Sequence, residues 1–113
     1  MKILVLSDSH GNVDNMVQAV QQESPHMILH LGDCWRDGER LHEFFPDIPF
    51  HQVPGNCDVY RCPPGIHSRL CYDVCGVRLF MTHGHKQGVK TNTAMLIAEA
   101  RAMGAQAALY GHT

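Results

Sequence analysis

The sequence predicts an α/β fold with a parallel or mixed central sheet flanked by helices. Its 113 residues are 44% hydrophobic and 18% charged, which suits one globular domain. Short apolar runs typical of buried strands alternate with segments of helical periodicity. Clusters of Asp, His and Gly directly follow the strands, at the edge where open α/β sheets bind ligands.

The first half of the chain alternates strands and helices. Ile3 to Leu6 is an uninterrupted apolar run, which predicts a strand buried on both faces. Apolar residues then recur with helical spacing from Val13 to Val20, and Asn12 is the candidate N-cap. A second strand, a short helix and a third strand are predicted at residues 27–31, 41–45 and 50–53.

The second half predicts a loop, a hairpin, a helix and a last strand. The loop covers residues 54–65, and the hairpin strands cover 68–73 and 77–81 around a turn at Cys75 and Gly76. The helix has one apolar face, formed by Leu96, Ile97, Ala100 and Met103. We expect its Met and Ala positions in the core, Thr91 or Thr93 at its start, and a last strand at 107–110.

The net charge and the N-terminal segment argue against two classes of function, nucleic-acid binding and membrane insertion. The net charge is -2 and no basic run is present, so the sequence gives no sign of a nucleic-acid-binding surface. The apolar run at the N-terminus is too short for a membrane span or a secretory signal. We therefore expect a cytoplasmic protein without a membrane partner.

Five cysteines allow two interpretations. An odd number without a secretory signal favours free thiols in a reducing compartment. The alternative is a domain stabilised by zinc, similar to a zinc ribbon, although its spacing is looser than that of ribbon knuckles. Its ligands would be Cys57, Cys62, Cys71 and Cys75.

Five polar clusters each follow a predicted strand. They are Asp8-Ser9-His10, Gly32-Asp33, Gly55-Asn56-Cys57-Asp58, Thr82-His83-Gly84-His85 and Gly111-His112-Thr113. They predict that carboxylate, imidazole and amide groups meet at the same end of one sheet. Such ligands suit divalent ions such as manganese, iron, nickel or zinc, and Asp33 on its glycine turn is placed to bridge two of them. Glycines 32, 55, 84 and 111 would let the backbone approach the metals closely.

In order and spacing, these five motifs resemble the calcineurin-like metallophosphoesterases, and the nearest branch is that of small single-domain bacterial and archaeal phosphodiesterases. The resemblance implies a four-layer α/β/β/α sandwich, of which residues 1–113 would form the first part. It also implies hydrolysis of phosphate esters, above all diesters, by a hydroxide that bridges two divalent ions. Manganese is the first expectation for these ions, with nickel, iron and zinc as alternatives.

The resemblance assigns a role to each matching residue. Asp8 and His10 would bind the first ion, and Asp33 would bridge both. The second ion would be held by Asn56, His83 and His112. The expected catalytic set is Asp33, Asn56, Asp58 and His83, with Asp58 orienting its neighbours. Cys57 and His85 would face the substrate.

The sequence departs from the family pattern at two places. Cys57 stands where phosphoprotein phosphatases of the superfamily have a histidine, which favours the phosphodiesterase branch. The family pattern Gly-His-x-His stops here at Thr113, so we expect a domain that is incomplete at the C-terminus. Such a chain would hold the first ion weakly and expose strand edges that allow homo-oligomers.

Two expectations about partners and rivals follow. The expected partner is a small-molecule phosphoester. The alternative is a scaffold of the same fold that binds proteins with weak or no catalysis.

Four residues are compatible both with a role in the site and with ordinary packing or solvation: Trp35, Arg36, Lys86 and Lys90. His30, inside the second strand, is expected to be hydrogen-bonded beneath the site.

Overall fold

A computed structural model describes residues 1–58 and 62–112. Residues 59–61 of the predicted loop and Thr113 of the last motif lie outside the described residues. The strands are β1 Ile3–Leu6, β2 Met27–His30, β3 Phe50–Gln52, β4 Arg69–Val74, β5 Val77–Thr82 and β6 Ala107–Leu109. The helices are α1 Val13–Glu23, α2 Trp35–Phe44 and α3 Ala94–Ala102, with one 3₁₀ turn at Asn56–Asp58. Within the described ranges, no helix is long and apolar enough to cross a bilayer.

The strands form two three-stranded sheets. The first has the order β1-β2-β3 and is wholly parallel. The second has the order β4-β5-β6, in which β4 and β5 form an antiparallel hairpin and β6 runs parallel to β5. The predicted α/β class is confirmed, but the expectation that all five motifs end one sheet is wrong. The hairpin begins a second sheet because β6 pairs with β5 rather than with the first sheet.

Three apolar clusters hold the layers together. Helices α1 and α2 pack on the first sheet through Val13, Met16, Val20, Ile28 and Leu41. The two sheets pack on each other through Leu29, Leu31, Val53 and Met81. Helix α3 packs on the second sheet through Phe80, Val89, Leu96 and Ala100. This gives the layer order helix, sheet, sheet, helix, as in the first part of an α/β/β/α sandwich.

Several element predictions need correction. Helix α2 begins at Trp35, six residues before the predicted start, and Val5 in β1 is exposed although both faces of that strand were expected to be buried. Met95 in α3 is 53% exposed and Met103 directly after it is 42% exposed, so these methionines are not core residues. Of the alanines of α3, only Ala100 is buried, so the prediction that its Ala positions lie in the core is wrong for the other three.

The predicted caps also differ from the structure. Asn12 occupies the N-cap position of α1 without a side-chain cap bond, and Thr93 does the same in α3. The first amide of α3 is bonded instead by the side chain of Asn92, at 3.0 Å from Ala94 N.

The ends of the two sheets meet at one edge. His83, directly after β5, donates from Nδ1 to the carbonyl oxygen of Leu31 after β2, at 2.8 Å. Gly111, after β6, donates its amide hydrogen to the carbonyl oxygen of His83 at 2.9 Å. All five polar motifs therefore still converge, although two sheets supply them.

Candidate metal centre

The loop after β1 carries Asp8 and His10 into the centre. Both residues have positive φ angles, 54° and 46°. Asp8 N donates to Gly32 O at 2.8 Å, and Asp8 Oδ2 accepts the amide hydrogen of His112 at 3.3 Å. Burial on its own raises the pKa of the Asp8 carboxyl. Hydrogen bonds from the Ser7 side chain and His112, with His83 nearby, outweigh this and hold the pKa below its ordinary value. Asp8 is thus an anion at neutral pH.

Asp33 lies at the middle of the site and is only 4% exposed. Its backbone is left-handed, with φ 56°, and its Oδ1 accepts the amide hydrogen of Cys57 at 3.0 Å. Glycines make room around it. A Cβ on Gly55 would lie 2.8 Å from Asp33 Cγ, and one on Gly32 would lie 2.7 Å from His83 Nδ1. Only glycine permits this closeness of the two loops.

The predicted glycine role therefore needs refinement. At 32, 55 and 111 the missing side chain lets backbone approach the candidate ligand side chains, since a Cβ on Gly111 would lie 2.9 Å from Asp8 Oδ2. At Gly84 it makes room for Val89, whose Cγ2 would lie 2.7 Å from a Cβ. Gly84 thus serves core packing beside the site.

The buried carboxylate of Asp58 connects the loop that carries Asp33 with the loop that carries Gly55 and Asn56. It is 1% exposed, and its Oδ2 accepts the amide hydrogens of Asp33 at 3.1 Å and Gly55 at 2.8 Å. Its Oδ1 accepts from the first amide of α2, Trp35 N, at 2.8 Å. Asp58 thus holds the backbone of the loops that carry Asp33 and Asn56, while the orienting role in catalysis that the resemblance implies stays a prediction.

The Nε2 atom of His83 lies among acceptor groups that together suit a cation. Because its Nδ1 donates to a carbonyl oxygen, Nε2 carries a lone pair in the neutral ring. That nitrogen faces Asn56 Oδ1 at 3.1 Å, His112 Nδ1 at 3.2 Å and Asp33 Oδ2 at 3.4 Å. A proton on Nε2 would satisfy only one of these contacts. A cation among them satisfies all of them at once, so the donor set fits a divalent ion.

The candidate ligands fall into two triads that share one residue. Asp8, His10 and Asp33 form one triad, and Asp33, His83 and His112 form the other, each with donor atoms within 4.8 Å of one another. The exposed Asn56 adds its amide oxygen beside His83. The structure thus brings together all six residues that the resemblance assigned to two ions, with Asp33 between them.

A cavity of about 520 Å³ opens over the two triads. Cys57 lines it, as expected for a substrate contact, together with Ser7 and Lys90. Burial, and then Asp33, raise the pKa of the Cys57 thiol, which keeps it neutral and a weak nucleophile.

His85 is placed differently. It lines an adjacent cavity of about 190 Å³ with Ile66 and Lys86, and its ring centroid lies 5.5 Å from that of His83. Burial lowers the pKa of His85. Within residues 1–58 and 62–112, its buried Nδ1 has no hydrogen-bond partner. A contact of His85 with substrate stays a prediction.

Only part of a polar network beneath the site was predicted from the sequence. His30 is fully buried and bonded as predicted, with Nδ1 accepting from Gly32 N at 3.3 Å and Nε2 3.1 Å from Ser9 Oγ. Burial lowers the pKa of His30, so the ring is neutral. Asp37 on α2 completes the network, and an isolated Asp in a polar helical segment gave no signal for it. Ser7, directly after β1, was also not predicted, because a single serine beside a motif gives no signal of its own.

The zinc-ribbon alternative finds no support in the structure. All five cysteines are free thiols. Among the described residues, the groups that could ligate an ion contain Asp and His but no Cys. Three of the four cysteines lie on different elements: Cys57 in the Asn56–Asp58 turn, Cys71 in β4 and Cys75 in the hairpin turn.

The fold and the donor set define an α/β domain with a candidate metal centre, and comparison with known proteins gives its family. The calcineurin-like phosphoesterase superfamily domain matches residues 1–113. The chain therefore belongs to the calcineurin-like phosphoesterase superfamily.

Curated relatives are similar over the whole chain. "Probable metallophosphoesterase YsnB" of Bacillus subtilis is 26% identical over 100% of this chain and 64% of its own length. A "Probable metallophosphoesterase" of Mycoplasma pneumoniae is 26% identical over 99% of this chain and 67% of its own. The chain thus spans about two thirds of these relatives.

Solved structures share the fold. A Streptococcus pneumoniae TIGR4 protein described as a predicted phosphoesterase superposes with a TM-score of 0.77 at 29% identity, covering 98% of this chain and 61% of that one. Vps29 of Entamoeba histolytica, as a single mutant, gives 0.75 at 16% identity, covering 99% and 64%. At that identity the likeness shows the fold alone.

Proposed function

We propose that the chain is a metal-dependent phosphodiesterase that hydrolyses small phosphate diesters with two divalent cations, manganese first among them. The observation that carries this is the pair of ligand triads that share Asp33 beneath one cavity. Family membership supports phosphoester hydrolysis as the class of reaction. Cys57 at the cavity, in the place of a phosphatase histidine, supports diesters as the substrate class.

The roles of the residues follow from their contacts. Asp8, His10 and Asp33 would hold one cation, and Asp33, Asn56, His83 and His112 the other. When bound, the cations supply Lewis-acid polarisation of the phosphate and lower the pKa of the attacking water. Leu31 O fixes the His83 tautomer so that Nε2 faces the ligand group. Asp58 holds the Asp33 and Gly55 backbones in register.

A metal titration tests the proposal. The chain is stripped of metal with a chelator, then given manganese, nickel, iron or zinc, and its turnover of an aryl phosphodiester and an aryl phosphomonoester is measured. Calorimetry counts the bound ions. We expect two ions per chain, with the one at Asp8 and His10 bound more weakly, turnover that chelation abolishes, and a higher kcat/KM for the diester. Bound metal without turnover of either ester would contradict the enzyme and favour the scaffold.

Lys90 provides a prediction about substrate binding. It lines the cavity, and its loop is anchored by the buried Val89, whose amide donates to Gly84 O at 3.3 Å. Its ammonium group would meet the negative phosphate. We expect Lys90→Gln to raise KM about 3- to 10-fold, the effect of one exposed charge contact of about 1 kcal/mol, with kcat nearly unchanged.

Lys86 is the matched control for that measurement. It is exposed on the same loop but lines the adjacent cavity instead. Lys86→Gln should therefore leave KM at the wild-type value. Equal effects of the two substitutions would mean that general charge attraction, rather than a contact of Lys90, sets the affinity.

A further inference from the structure

Asp37 is a buried carboxylate on α2 whose side chain accepts two hydrogen bonds from the loop after β1. It is 4% exposed, and its Oδ2 accepts from Ser9 Oγ at 2.7 Å and from Gly11 N at 2.6 Å. Both distances are short, as expected for hydrogen bonds to a charged acceptor. A buried charge is costly unless it is bonded in this way. Asp37 therefore holds the two residues that flank His10.

The loop that Asp37 holds is strained. Asp8 and His10 have positive φ angles and Gly11 has φ 87°, whereas only glycine adopts this region without steric cost. Such conformations persist where the surroundings over-determine them. Asp37 supplies two bonds to this loop, one on each side of His10, and so keeps the strained backbone in place.

The network continues from Ser9 to the loop that carries Asp33. His30 Nδ1 accepts from Gly32 N, so the ring proton is on Nε2, which donates to Ser9 Oγ. Ser9 in turn donates to Asp37. One chain of hydrogen bonds thus joins α2, the loop after β1 and the loop after β2, and the latter two loops carry the whole Asp8, His10 and Asp33 triad.

We propose that Asp37 is a positioning residue for the first cation: through Ser9 and Gly11 it holds Asp8 and His10 where both reach the ion that Asp33 shares. It touches neither substrate nor the reacting atoms. At the second site, Asn56 and His83 are held through Asp58 and Leu31 instead, and only His112 is bonded to this loop, through its amide and Asp8 Oδ2. Loss of Asp37 therefore affects the first cation site more than the second. This inference rests on the metal site of the proposed function.

Zinc binding measured by NMR at the histidine rings tests the inference. In a chain labelled with ¹⁵N at histidine, the His10 ring reports the first site, and the His83 and His112 rings report the second. We expect Asp37→Ala to weaken zinc binding at His10 about 10- to 100-fold, the usual effect of losing a residue that orients a ligand. Zinc binding reported by His83 should weaken much less, because Asn56 and His83 are not bonded to the loop that Asp37 holds.

Three further variants sharpen the test. Asp37→Asn keeps an oxygen that accepts both bonds, so it should restore most of the His10 affinity. Ser9→Ala removes one of the two Asp37 bonds, together with the bond from His30, and leaves the Gly11 bond, so it should give an intermediate loss even if Asp37→Ala folds poorly. Asp14→Ala, an exposed carboxylate in the first turn of α1, should change nothing.

The outcomes separate this inference from the proposed function. Equal weakening at both sites, or unchanged zinc affinity at His10 in Asp37→Ala and Ser9→Ala, overturns the positioning role while the enzyme proposal stands. If the wild-type chain binds zinc but hydrolyses no ester, a larger loss of zinc affinity at His10 in Asp37→Ala supports the positioning role of Asp37. In that case only the proposal that the chain is an enzyme is overturned. A wild-type chain that binds no zinc overturns both.

Discussion

Asp33→Asn should reduce metal-dependent turnover about 1,000-fold or more. Asp33 is the one residue that both ligand triads share, and two neighbouring cations need an anion between them to offset their repulsion. A neutral amide does not supply that charge. Removing a contribution of several kcal/mol to the transition state corresponds to a loss of this size. The measurement is kcat/KM for an aryl phosphodiester in excess manganese, together with the number of ions bound.

The choice of Asn separates charge from backbone strain. Asp33 has a φ of 56°, which Asn tolerates and Ala does not, so Asp33→Ala would mix strain with the loss of a ligand. The carboxamide oxygen can still accept the Cys57 amide hydrogen. Without metal, Asp33→Asn also removes repulsion with the nearby Asp8, so we expect the metal-free variant to be at least as stable as the wild type.

Asp47→Asn is the control, because this exposed carboxylate lies in a turn between α2 and β3. It should keep wild-type turnover and metal binding. Turnover of Asp33→Asn within tenfold of the wild type would contradict the bridging role and leave the two triads without a functional link.

The sequence predicted the site better than it predicted the sheets. Each candidate ligand follows a strand that the apolar pattern identified, and strand ends are fixed by local polarity. Which strand β6 joins is decided by packing between residues far apart in the chain, such as Phe80 and Ala108, which are paired in the β5–β6 register. Local patterns contain no information of that kind. The resemblance implied a second sheet, but its formation by β4, β5 and β6 had to be observed.

Helix α2 shows why the polar support was harder to predict. Its first turns read Trp-Arg-Asp-Gly-Glu-Arg, without an apolar stripe and with a central glycine. In the structure Gly38 lets the helix approach β3, since a Cβ there would lie 3.1 Å from Phe50 Cζ, and Asp58 bonds the first amide of the helix. Tertiary contacts thus override weak local propensity. Asp37 is buried as a consequence.

Asp58→Ala should cause the largest loss of stability among the substitutions of the site. It removes the acceptor of three backbone amides, those of Asp33, Trp35 and Gly55. Each unpaired buried N–H costs about 1–3 kcal/mol, so the loss in unfolding free energy should be on the order of 3–5 kcal/mol. That is a large fraction of the roughly 5–15 kcal/mol that stabilises a domain. Urea unfolding of the metal-free chain measures it.

The substitution Asp58→Asn should give a smaller loss, because its oxygen can still accept from Asp33 and Gly55 while its NH₂ group faces the Trp35 amide. We expect about 1–2 kcal/mol, one lost bond with a donor opposite a donor. Asp47→Ala removes an exposed carboxylate in the turn between α2 and β3 and should leave the urea midpoint unchanged. Equal losses for Asn and Ala would mean that the charge of Asp58, rather than the number of its hydrogen bonds, stabilises the loops. In that case the two loops that carry Asp33 and Asn56 are held by electrostatics, and their cation affinity should weaken with added salt.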